Sequence, residues 1–67
     1  MVLVFKTTIF PQLEFHVKAI LDSFKQILTV DFDFEDCDKI LRIEASEDLT
    51  SDIELLLNSK GFYCKGL

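Results

Sequence analysis

The spacing of apolar positions changes along the chain, and each change marks an element. Val2-Leu3-Val4-Phe5-Lys6-Thr7-Thr8-Ile9 is β-branched and apolar on both faces, the pattern of a central strand ending near Thr8. Pro11 suits the first turn of a helix, where its missing N–H has no intrahelical partner. Beyond it Leu13, Val17, Ile20, Phe24, Ile27 and Leu28 recur at three- and four-residue steps, with Glu14, Lys18, Asp22, Lys25 and Gln26 elsewhere on the wheel. This spacing predicts an amphipathic helix of about four to five turns. The period then becomes two: Val30, Phe32 and Phe34 alternate with Thr29, Asp31, Asp33 and Glu35, predicting a half-buried strand with an acidic outer face.

Asp36-Cys37-Asp38 supplies a turn, and Lys39 to Ala45 reads as the partner strand of a hairpin with Leu41, Ile43 and Ala45 inward. Ser51 and Glu54 match a capping box, with Thr50 as a competing N-cap. Ile53, Leu56 and Leu57 form the buried stripe of a second helix, which Gly61 ends in a left-handed C′ position. Phe62-Tyr63-Cys64-Lys65 makes a short last strand. The order is βαββαβ. With right-handed crossovers it predicts an α+β fold, the ferredoxin-like two-layer sandwich: a four-stranded antiparallel sheet with two helices on one face.

Composition bounds the rest. Sixty-seven residues make one domain, 1–67, near the lower limit for a single core, and an apolar fraction of 49% with seven Phe is enough to fill it. Two cysteines without a secretory signal pattern are expected as reduced thiols in a soluble, complete, cytoplasmic chain. The first apolar run is too short for a membrane span, so no membrane partner is expected. A formal charge of −5 repels phosphate backbones and argues against nucleic acid.

The chain resembles the heavy-metal-associated domains, the fold of small copper chaperones and of the N-terminal modules of metal-transporting P-type ATPases. The resemblance spans the whole chain and rests on element order, length and a closing Gly-aromatic pair, matched by Gly61-Phe62. The family's signature is a Met-x-Cys-x-x-Cys loop after the first strand. With Val17 and Ile20-Leu21 placed on the family's helical apolar positions, Thr8 stands in place of the Met, Phe10 in place of the first Cys and Leu13 in place of the second. Soft-metal transfer by that family uses thiolates that exchange ligands, so the resemblance implies a scaffold without the loop chemistry. No cofactor is expected.

The remaining chemistry-bearing residues fit structural roles. Cys64 alternates with Phe62 toward the helices, as a core cysteine would. Cys37 reads as a turn residue whose acidic neighbours are expected to raise its pKa, and His16 flanks the buried stripe without a second ligand one turn on. Cys37, Cys64 and His16 are thus weak metal candidates. The run Asp31 to Asp38 lacks the Gly and the final Glu of a calcium loop and reads as a charged edge strand that resists aggregation. Phe15 points almost opposite to the buried direction of its helix. Phe10 either folds over the core or joins Phe15 in an apolar contact patch.

No nucleophile–base pair is visible, so an enzyme is not expected. The reading is a non-catalytic binding module acting by contact with a protein partner or in a homodimer, with Phe10 and Phe15 as contact residues. The alternative is a copper- or zinc-handling accessory protein with a displaced or intersubunit site.

Overall fold

The computed structural model describes residues 1–35 and 39–67. Its elements are β1 (Val2–Thr7), a 3-10 turn (Pro11–Leu13), α1 (Glu14–Leu21), β2 (Ile27–Asp33), β3 (Ile40–Ala45), α2 (Thr50–Ser59) and β4 (Cys64–Gly66). The four strands form one antiparallel sheet in the order β2-β3-β1-β4. The fold is α+β, and β1 is a central strand, paired with β3 on one side and β4 on the other. Asp36, Cys37 and Asp38, the expected hairpin turn, lie outside the described residues.

Alternation in the central strands sets the inner face. Leu3 and Phe5 of β1, and Leu41, Ile43 and Ala45 of β3, are buried, as is Cys64 of β4. Val17 and Leu21 of α1 and Ile53 and Leu57 of α2 join the same apolar cluster. Two loop residues, Ile9 and Leu49, complete it. At about 25 cal/mol per Å² of buried apolar surface, such a cluster is the main stabilising term for a chain this short.

The first helix is shorter than its apolar spacing predicts. It ends at Leu21, and a series of tight turns carries the chain on, with Phe24 N–H donating to Leu21 O (3.1 Å) and Ile27 N–H to Phe24 O (3.3 Å). Ile27, expected on the helix, is instead the first residue of β2 and pairs with Ala45. Ile20, Phe24 and Ile27 pack against the cluster all the same. The same residues are covered in either conformation, so periodicity could not separate them. The ladder with β3 decides, helped by the β-branched Ile27, Thr29 and Val30. Leu28 is accommodated as an extra residue at a bulge between Ile27 and Thr29 and is exposed.

At α2 the expected capping box is not formed. Asp48 Oδ1 accepts from both the N–H (3.0 Å) and the hydroxyl (2.6 Å) of Thr50. These bonds hold the Asp48 carboxyl below the usual carboxylate range. Glu54 is used elsewhere, its Oε2 accepting the N–H of Gly66 on β4. The C-terminus follows the sequence. Gly61 has φ +89°, its N–H donates to Asn58 O (3.1 Å), and Phe62 N–H donates to Leu57 O (2.9 Å), the Schellman pair of bonds. Asn58 Nδ2 adds a bond to Cys64 O (3.2 Å), so α2 and β4 are tied at two points.

Candidate functional site

The end of β1 and the start of α1 are built around Thr7. It holds an inward position in the sequence Leu3, Phe5, Thr7 and is 3% exposed. A polar side chain there must find partners. Its hydroxyl donates to Lys39 O (2.7 Å) and accepts from Ile9 N–H (3.2 Å). One side chain therefore links the end of β1, the following loop and the residue that leads into β3. Ile9, fully buried, anchors the loop from below.

With Ile9 held down, Phe10 is carried to the surface. It occupies the N-cap of the 3-10 turn in an extended conformation (φ −83°, ψ 155°), its carbonyl accepting from Leu13 N–H (2.9 Å). Phe10 is 58% exposed, and the ammonium of Lys39 lies 5.2 Å from its ring centroid. At an exposed site this cation–π contact is worth about 0.5–1 kcal/mol. Lys39 adopts φ +47°, an uncommon conformation for a residue with a Cβ, which aims its carbonyl at Thr7 and its ammonium at Phe10. Phe15, on the first turn of α1, is 81% exposed. Leu13 is half-buried and packs on the cluster, and Glu14 and Lys18 form an ion pair along α1 (2.9 Å).

The other candidates are dispersed. Cys64 stands opposite Thr7 in the β1–β4 register and is 3% exposed. Burial first, and the Glu54 carboxylate second, push its thiol up to about 12. At neutral pH it is a protonated core residue, not a thiolate. His16 is exposed on α1 with its ring 6.1 Å from that of Phe62, at 57°. Cys37 lies outside the described residues. Asp31 and Asp33 lie along β2, with Arg42 opposite Asp31 and 3.8 Å from Asp33. Among the described residues, no group of three or more His, Cys, Asp or Glu side chains is placed to hold a metal ion.

Phe10 and Leu13, which the resemblance sets in place of thiols, do not fit a metal. Phe10 presents a ring already faced by a cation, Leu13 offers only methyl groups, and neither has a lone pair to donate. Among the described residues no helix is long and apolar enough to cross a membrane. Sequence reasoning named Phe10 and Phe15 but missed what holds them. A polar Thr7 at an inward strand position was the available signal for the buried link, whereas nothing in the sequence marks Lys39 as its partner. No family model, curated protein or solved structure matches the chain.

Proposed function

We propose that this chain is a non-catalytic binding module of the ferredoxin-like βαββαβ type, a heavy-metal-associated-like domain in which protein contact at the opening end takes the place of metal transfer. The strand order β2-β3-β1-β4, with helices following the first and third strands, supports that fold type. One observation carries the functional reading: Phe10 and Phe15 stand exposed on either side of a turn that Thr7 and Ile9 anchor from within. Aromatic side chains on an anchored loop give contact area at low entropic cost, which favours a partner surface. The metal-free reading rests on the side chains themselves, Phe10 and Leu13. A cytoplasmic setting fits a core cysteine kept as a thiol.

The test is photo-crosslinking from benzoylphenylalanine at position Phe15 in cells that make the protein, with Leu55 of α2, also largely exposed, as the control position. A discrete protein adduct from Phe15, lost on Phe10→Asp and absent from Leu55, is the expected result. Equal adducts from both positions, or none from Phe15, would refute the assignment of the contact surface.

A further inference from the structure

The outer face of the sheet, away from both helices, carries a charge pattern that fits a second copy of itself. Its rows follow from the register. Asp31 stands opposite Arg42, which stands opposite Val4, and Leu67 N–H bonds to Val4 O (2.9 Å). One step along, Asp33 stands opposite Ile40, while Lys6 stands opposite Lys65. On this face Asp31 and Asp33 lie on the β2 edge and Lys65 on the β4 edge, with Arg42 and Glu44 of β3 and the exposed Val2 and Leu67 between and beside them.

We propose that two copies pack outer face to outer face about a two-fold axis parallel to the strands. That axis lays β2 of one copy over β4 of the other and preserves position along the strands. Asp33 then faces Lys65 of the second copy, Asp31 faces Leu67, and the stem of Arg42 covers Val4. Both symmetry-related Asp33–Lys65 contacts form together, as an isologous interface requires.

The competing arrangements put like charges together. A two-fold axis across the strands lays β2 on β2 and brings the acidic edges face to face. Antiparallel edge-to-edge pairing of β2 with β2 centred on this stretch sets Asp31 of one copy opposite Asp33 of the other. Charge selects the first geometry. A face four strands wide, at about 4.8 Å per strand, buries roughly 1,000–1,400 Å² in total, the low end for a specific dimer.

Sedimentation equilibrium at about 0.15 M salt tests this, because beyond a Debye length of about 8 Å the net charge is screened while facing pairs are not. The wild-type chain is expected to dimerise, Lys65→Glu and Asp33→Lys each to weaken the dimer at least about tenfold, and their equimolar mixture to recover it as a heterodimer. The mixture recovers because Asp33 then meets Lys65 on one side and the two substituted positions meet with opposite charge on the other. Leu55→Asp, on the exposed side of α2, leaves the dimer unchanged. A wild-type chain that is monomeric up to about 1 mM, a dimer that both variants keep, or a mixture that stays monomeric would overturn the proposal. Circular dichroism of each variant separates loss of association from loss of fold.

Discussion

Replacing Thr7 by Val tests the buried link beneath the opening loop. The two side chains have the same shape, so packing is kept while both hydrogen bonds of the hydroxyl are removed. The carbonyl of Lys39, a half-exposed residue, can turn to water. Ile9 N–H cannot, because it is buried, and an unpaired buried donor costs about 1–3 kcal/mol. The added methyl returns up to about 0.8 kcal/mol. The balance spans about 0.2–3 kcal/mol and centres on a net loss of about 1–2 kcal/mol. For a domain of this length, 1 kcal/mol shifts Tm by about 4–8 °C, so a fall of roughly 5–15 °C is expected. Urea unfolding should show a lower midpoint with an unchanged slope.

Amide hydrogen exchange localises the effect. In Thr7→Val the Ile9 amide should exchange at least about tenfold faster relative to Leu41 in the core, while Thr7→Ser, which loses a methyl but keeps the hydroxyl, should leave that ratio unchanged. If Thr7→Val matches wild type in stability and Ile9 keeps its protection, the loop is not held by Thr7, and Phe10 is not carried outward on a turn fixed by that link.

Other outcomes follow from single features. Gly61→Ala should cost about 1–2 kcal/mol in urea unfolding, because φ +89° penalises any Cβ even though nothing lies within 4 Å of it. Gly66→Ala places a Cβ 2.6 Å from Thr50 Cγ2 and should destabilise through displacement of the start of α2, read as faster amide exchange near Thr50. Asp48→Ala should lower the thermal midpoint at pH 7. The difference from wild type should shrink as pH falls through the depressed Asp48 pKa, where the protonated carboxyl no longer accepts both Thr50 bonds as an anion. Cys64 acts in the opposite range. Its thiol is raised in the folded chain from 9.0 to about 12, so the unfolded chain loses the proton first. Its contribution is fully present below pH 9 and declines above it by at most about 1.4 kcal/mol per unit. Relative to Cys64→Ala, wild-type stability should therefore drop between pH 9 and 11, and alkylation of native Cys64 should be limited by opening of the fold.

Much of the fold was legible because burial and local preference agreed. The two-sided apolar run of β1, the alternation of β3 and the stop at Gly61 each have one physical reading. The alternation that put Asp31 and Asp33 outward also held in β2, and Cys64 was legible as a core position. Elements were misread where one pattern satisfied two structures. Ile20, Phe24 and Ile27 face the core whether the chain is helical or turns into a strand, so only pairing with β3, a contact distant in sequence, fixed the end of α1 at Leu21. The Ser51–Glu54 signal failed for a similar reason. Asp48 took the Thr50 donors, and Glu54 was left to bind Gly66. At the candidate site, the exposure of Phe15 could be counted from the helix wheel. That of Phe10 depends on Ile9 occupying the core beneath it and on Lys39 lying above, neither of which is local.

On the proposed reading, the end of the domain that carries Phe10 and Phe15 makes protein contacts and holds no metal. Native mass spectrometry of the fully reduced chain with one equivalent of Cu(I), and separately of Zn(II), tests it most directly under mild competition from a small thiol or chelator. The expected result is that every charge state keeps the metal-free mass and that Cys37→Ser and Cys64→Ser change nothing. Retention of one ion per chain, lost on substitution of either cysteine, would contradict the claim and favour a displaced metal site.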